Sequence, residues 1–218
     1  MAEAVSHFEI QRQQMLQWQL RGRGIRDERV LAAMAQTPRE RFIPAEFRHL
    51  AYEDRPVPIG LGQTISQPYI VALMLQELRI EPHHRVLDVG SGSGYQAAIL
   101  AKLASEVFGI ERFPELARRS LAVLKELGRG NVSIYTGDGT LGLSEQAPFD
   151  RIICGAAGPD VPKAWVEQLA EGGRIVTPTG PPEVQMLIAV DKVGGTTTKS
   201  DICPVTFVPL IGQQGWQR

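Results

Sequence analysis

Three acids and one serine carry the chemistry open to this chain. Asp88 lies in the short apolar run Val86, Leu87, Val89, which meets Gly90, Gly92 and Gly94. Glu111 follows a second such run at 107–110, and Asp138 stands between Gly137 and Gly139 after a third at 132–135. A dinucleotide site reads G-x-G-x-x-G and seats a pyrophosphate. Here the spacing is G-x-G-x-G, and a carboxylate at Asp88 would repel a pyrophosphate. It suits a cationic or zwitterionic ligand, such as the methionine part of S-adenosylmethionine. An acid at the end of the next strand, Glu111, can accept hydrogen bonds from both hydroxyls of a ribose, which fits an adenosine. Taken alone, the glycines make a tight turn and nothing more; the ordered strand, turn, helix and second acid are what favour a ligand.

The serine is Ser66, in Thr64-Ile65-Ser66-Gln67-Pro68. Pro68 can open a helix through Val71, Leu73, Met74, Leu75 and Leu78, with Ser66 or Gln67 in the capping region. Free amides at that end favour a carboxylate. Spacing alone leaves Ser66 either an ordinary cap or a substrate contact. His7, His49, His83 and His84 lie outside the strand-end motifs, so no Ser-His-Asp arrangement suggests itself. Cys154 and Cys203 lack metal-ligand spacing, and no metal is expected.

Positioning those groups takes alternating strands and helices. Strands are expected at 85–89, 106–110, 132–135, 149–154 and 174–177, with helices at 95–104, 114–127 and 162–169. That order implies a parallel sheet covered on both faces, with a ligand crevice at the carboxyl ends of its strands. The runs 184–190 and 202–210, joined through Gly194-Gly195, should form an antiparallel pair. Ahead of the core, an accessory helix is expected over 8–23 and a second from the N-cap Asp27 to Pro38. The stretch 42–62, broken by Pro44, Pro56 and Pro58, should be mostly irregular, anchored by Phe42, Phe47 and Tyr52. Tyr52 and Asp54 could border a channel or simply pack. Phe149 and Trp165 read as core, Cys154 as a buried strand end, and the tail at 211–216 as polar apart from a surface-packed Trp216.

At 218 residues and 43% hydrophobic content the chain suits one α/β domain. We expect residues 1–60 to be accessory helices and a substrate-side loop, 61–183 the nucleoside-binding core, and 184–218 the closing antiparallel strands. A formal net charge of -1 provides no field for nucleic acid or an anionic membrane. Two cysteines and no secretory signal point to a reducing, cytoplasmic setting.

From about Asp27 onward the chain resembles the bacterial protein-L-isoaspartate O-methyltransferases, also called protein-beta-aspartate methyltransferases. The resemblance rests on Pro38-Arg39-Glu40-Arg41-Phe42-Ile43-Pro44, Gly62-Gln63-Thr64-Ile65-Ser66-Gln67-Pro68 and Leu87-Asp88-Val89-Gly90-Ser91-Gly92-Ser93-Gly94-Tyr95, with Gly137-Asp138-Gly139, Ala156-Ala157 and Phe207-Val208-Pro209-Leu210. The glycine motif is common to class I methyltransferases, while Thr-Ile-Ser-Gln-Pro is far more specific. The resemblance implies a Rossmann-like class I S-adenosylmethionine-dependent methyltransferase sandwich: a mostly parallel sheet, an antiparallel C-terminal hairpin and added N-terminal helices. It implies an enzyme that methylates the free α-carboxyl of L-isoaspartyl residues in damaged proteins, giving a methyl ester and S-adenosylhomocysteine; a monomer is our own expectation. By the same resemblance Ser66 is the active-site serine, with Thr64, Ile65, Gln67 and Pro68 around the substrate. Asp88, Gly90, Ser91, Gly92 and Gly94 line the methionine part, Glu111 holds the ribose, and Asp138 with Gly139 borders the adenine. The helix before Gly22 and the Gly155 and Gly158 flanks depart from the family pattern.

Overall fold

The computed structural model describes residues 6–217; residues 1–5 and 218 of the expected span lie outside the described part. A seven-stranded sheet is built from β3 (Arg85–Val89), β4 (Glu106–Glu111), β5 (Val132–Thr136), β6 (Phe149–Cys154), β7 (Leu169–Thr179), β8 (Gln185–Val193) and β9 (Thr196–Val205), in the order β5-β4-β3-β6-β7-β8-β9. The pairs among β3 to β7 are parallel and the last two antiparallel. β4 and β6 flank β3 on opposite sides, so the order reverses at β3. In an open α/β sheet that reversal opens a crevice beyond the carboxyl ends of the strands.

Alternate residues of the central strands feed two cores. Val86, Val107, Ile153 and Val176 face a cluster with Met15, Leu31, Phe42 and Leu75, so the N-terminal elements share a core with the sheet. Leu87, Val89, Phe108, Ile152 and Ile175 face the opposite cluster, with the fully buried Phe149 and Trp165. Burial on both faces is why these strands read as continuous apolar runs.

The N-terminal helix is three segments: α1 (His7–Gln14), a π-helical stretch Met15–Leu20 and a 3-10 turn Arg21–Arg23, closed by Gly24 in the left-handed region. It buries Met15, Leu16 and Leu20 and leaves Trp18 71% exposed. The wider winding explains the imperfect helical period. Asp27 caps α2 (Glu28–Ala35), accepting from the amides of Arg29 (2.9 Å) and Val30 (3.3 Å). Between α2 and α3 (Pro68–Glu77) the chain is more ordered than its prolines suggest. Two 3-10 turns, Arg39–Phe42 and Ala45–Leu50, precede an antiparallel hairpin of β1 (Val57–Gly60) and β2 (Gln63–Ile65). Pro58 falls in a two-stranded sheet, where both strands are edges, beside a register shift between Pro58 and Gly60, the kind of place where proline is found in strands.

α4 (Tyr95–Leu100) is shorter than expected, whereas α5 (Pro114–Glu126) and α6 (Lys163–Gln168) nearly match. β9 stops at Val205 rather than reaching residue 210. Beyond it, Gln185 accepts from the Phe207 amide (2.6 Å) and donates to its carbonyl (3.3 Å), a side chain replacing the strand partner. The tail is a brace and no mere surface appendage. Asp138 accepts from the Gln213 amide (2.8 Å), Thr140 Oγ1 from the Gln214 amide (3.0 Å), and Trp216 Nε1 donates to the Ala157 carbonyl (3.0 Å). Among the described residues no helix is long and apolar enough to cross a membrane.

Candidate active site

The glycine turn is built as its spacing requires. Gly90, Gly92 and Gly94 have φ of 71°, 53° and 84°, a region that side chains rarely enter. At Gly94, the N-cap of α4, a Cβ would also sit 2.8 Å from the Cβ of Ser120 on α5. The turn therefore sets how closely α4 packs on α5.

Glu111 ends β4 and is 4% exposed. Its Oε2 accepts from the Gly92 amide and its Oε1 from the Phe113 amide, both at 2.9 Å. A carboxylate with two amides retains lone pairs for hydroxyl donors. Asp88 is fully buried; its Oδ1 accepts from Gln96 Nε2 (2.7 Å), while Oδ2 has no partner among the described residues. Burial pushes its pKa up to about 7, the Gln96 hydrogen bond offsets part of the rise, and the nearby Glu111 charge adds to it. A buried oxygen without a donor is a site that awaits one. The Ser91 hydroxyl is likewise buried without a partner. These groups fit the zwitterionic end of S-adenosylmethionine.

Three concavities converge here. A slot behind the glycine turn is lined by Gly90, Gly92, Glu111, Gly139 and, from the hairpin, Gln63 and Thr64. A niche beside it is bordered by Thr64, Ile65, Ser66, Gly90, Ser91 and Gly92. A wide cleft of about 750 Å³ opens on the other side, lined by Arg23, Thr64, Ser66, Gln67, Tyr69 and the segment from Cys203 to Val208. Thr64 and Gly155 border all three, and Ser66 borders both niche and wide cleft.

Other expected residues take supporting places. Asp138 accepts from the Thr140 hydroxyl (2.6 Å), the Thr140 amide (2.9 Å) and the Gln213 amide. Burial alone would raise its pKa; those hydrogen bonds outweigh it and hold the carboxyl below its ordinary value. The slot is bordered instead by Gly139, where a Cβ would lie 2.6 Å from Val89 Cγ1. Pro68 is buried as the first residue of α3. The carboxylate at that helix start is the chain's own: Asp54 accepts from the Tyr69 amide (3.3 Å) and from Gln67 Nε2 (2.9 Å), and pairs with Arg23. Tyr52 is 4% exposed and hydrogen-bonds Glu40, so it packs. Burial pushes the Cys154 thiol up to about 12, which makes it a poor nucleophile.

Sequence reasoning gave no role to Arg23, Tyr69, Gly155 or the stretch after Pro204, all lining residues. Only the Ala156-Ala157 and Phe207-Val208-Pro209-Leu210 motifs signalled their neighbourhood. It also missed Arg39, fully buried below Ser66, whose Nη2 donates to the Ser66 carbonyl at 2.8 Å.

The chain is 54% identical to the protein-L-isoaspartate O-methyltransferase of Koribacter versatilis over 96% of its own length and 94% of that protein's. It is 50% identical to the enzyme of that name from Methanoculleus marisnigri, covering 95% and 94%. A Plasmodium falciparum structure described as a beta-aspartate methyltransferase, in complex with S-adenosyl-L-homocysteine, superposes with a TM-score of 0.81 at 32% identity, covering 92% of this chain and 98% of that one. Residues 11–215 match the family model described as protein-L-isoaspartate(D-aspartate) O-methyltransferase. Near full-length kinship thus accompanies a class I methyltransferase sheet whose glycine turn opens beside the cleft that Ser66 borders, and the chain belongs to the protein-L-isoaspartate(D-aspartate) O-methyltransferase family.

Proposed function

We propose that this chain repairs damaged proteins by transferring a methyl group from S-adenosylmethionine to the free α-carboxyl of L-isoaspartyl residues, leaving a methyl ester and S-adenosylhomocysteine. The observation that carries it is the convergence at Thr64 and Gly155, where the slot behind the glycine turn meets the wide cleft beside Ser66. The donor supplies an activated methyl on a sulfonium. Asp88, with its unpartnered oxygen, would hold the ammonium of the methionine part, and Gly90, Ser91, Gly92 and Gly94 would let that part lie on the main chain. Glu111 would take the ribose hydroxyls, and Gly139, positioned by Asp138, would border the adenine.

The acceptor carboxylate is ionised at neutral pH, so displacement at a methyl carbon needs no strong general base. What the chain must supply is alignment, and holding reactants in line is worth several orders of magnitude in rate. Ser66 Oγ donates to the substrate carboxylate in this reading, while Thr64, Ile65, Gln67 and Pro68 shape the acceptor side. Neutralisation of anion against sulfonium runs faster out of water. The near-neutral charge, which offers no field for polyanions, supports an enzyme of polypeptides with no nucleic-acid or membrane partner; a monomer in the cytoplasm belongs to the same reading.

The test is incubation with methyl-labelled donor and paired isoaspartyl and aspartyl peptides. Base-labile label should enter the isoaspartyl peptide alone. Label on both, or on a small molecule in their place, points to another class I methyltransferase and ends this reading.

A further inference from the structure

We propose that Arg39 is a positioning residue for methyl transfer, acting through the main chain of Ser66. The inference rests on the role given to Ser66 above. Arg39 opens the 3-10 turn Arg39–Phe42 and is completely buried. Its Nε donates to the Ala51 carbonyl (2.7 Å), its Nη2 to the Ser66 carbonyl (2.8 Å), and its Cζ lies 4.9 Å from the ring centre of Tyr95. One guanidinium thus joins three pieces: the loop that leads to Asp54, the strand end that carries Ser66, and the first residue of the helix beneath the glycine turn.

Both bonded partners are neutral carbonyls. Burying a charge against them is costly, and an apolar side chain would fill such a place at less expense. What a guanidinium provides is a rigid planar fork that fixes two acceptors relative to each other. That fork matters because the Ser66 hydroxyl has no hydrogen bond of its own among the described residues, so its aim follows the backbone. Ile65 is anchored in β2 and Gln67 is held by Asp54. The carbonyl between them is held by Arg39. Misplacing a reacting group by about 1 Å can cost on the order of a hundredfold in rate.

The experiment is a double-mutant cycle of wild type, Ser66→Ala, Arg39→Gln and the pair. It reads kcat and KM for an isoaspartyl peptide at saturating donor, together with the Kd of S-adenosylhomocysteine by calorimetry. Arg39→Gln should lower kcat by about tenfold or more and leave that Kd within about twofold. In the Ser66→Ala background the same change should move kcat by less than about twofold, because residues acting through one another are not additive. Arg39→Lys, which keeps a donor, should recover part of the loss. Equal losses in both backgrounds, or donor-product affinity falling in step with kcat, overturn the inference while leaving the proposed function standing. If Arg39→Gln does not fold, the cycle is run with Arg39→Lys under the same criterion. A wild-type chain inactive on the peptide, or a Ser66→Ala variant of full activity, overturns the role of Ser66 and this inference with it.

Discussion

At the scale of single residues, Asp88 was legible from residue type and spacing, Ser66 only through the Thr64-Ile65-Ser66-Gln67-Pro68 motif that carries the family resemblance, and Arg39, though it stands in another of those motifs, had no legible role. Arginine reads as a surface residue until the fold buries it. Ser66→Ala should lower kcat on an isoaspartyl peptide by about 10- to 100-fold, the order of loss expected when a reacting carboxylate is no longer held in line. S-adenosylhomocysteine affinity should hold, and equal calorimetric titrations of the two proteins would show that. Asp88 gives a pH signature. Its pKa of about 7 in the fold exceeds the value of about 3.9 for a free aspartate. Its contribution to stability is therefore fully present below pH 4 and lost as pH rises through 7. Against Asp88→Asn, the donor-free wild type should lose roughly 5 °C of melting temperature between pH 5 and pH 8. A flat difference would contradict the shift. A cation beside Asp88 favours its ionised form, so donor binding should tighten as pH rises through 7 in the wild type only.

At the scale of elements, periodicity located β3 to β8 and the helices after them, since a strand buried on both faces and a proline-started helix leave clear marks. The β1–β2 hairpin left none: its strands are four and three residues long, and three prolines at 44, 56 and 58 argued for irregular chain. Ser66 sits between that hairpin and α3, whose first turn is capped from a distance by Asp54. Asp54→Ala should cost about 1 kcal/mol, the ordinary worth of an N-cap, and raise the peptide KM more than it lowers kcat. Urea unfolding and initial rates would measure both. Gly94→Ala combines a left-handed φ with a 2.8 Å clash on α5 and should lose about 1–3 kcal/mol. A stability within 0.5 kcal/mol of wild type, as at about any exposed surface site, would mean that the turn is not under that constraint.

At the scale of the whole molecule, alternating strands and helices announced a parallel sheet with a crevice at its carboxyl ends, but not the strand order that reverses at β3. The convergence of three concavities on Thr64 and Gly155 could not, because they lie 91 positions apart and only tertiary pairing brings them together. The tail shows the same limit, since its polar residues gave no sign of where they would bind. Ending the chain at Ile211 should remove the bonds to Asp138, Thr140 and Ala157, cost about 2 kcal/mol, and weaken S-adenosylhomocysteine binding several-fold in calorimetry. One of those bonds has another consequence. Asp138-Gly139 is itself the kind of dipeptide that ages into isoaspartate, when the glycine amide nitrogen attacks the aspartyl side-chain carbonyl carbon, a carboxyl oxygen leaves as water to close a succinimide, and water reopens the ring at the α-carbonyl. Three donors pin the Asp138 carboxylate, and its depressed pKa keeps it in the less electrophilic ionised form. The tail's Gln213 amide is one of those three donors, beside two from Thr140, so part of the restraint on that ring closure comes from residues far along the chain.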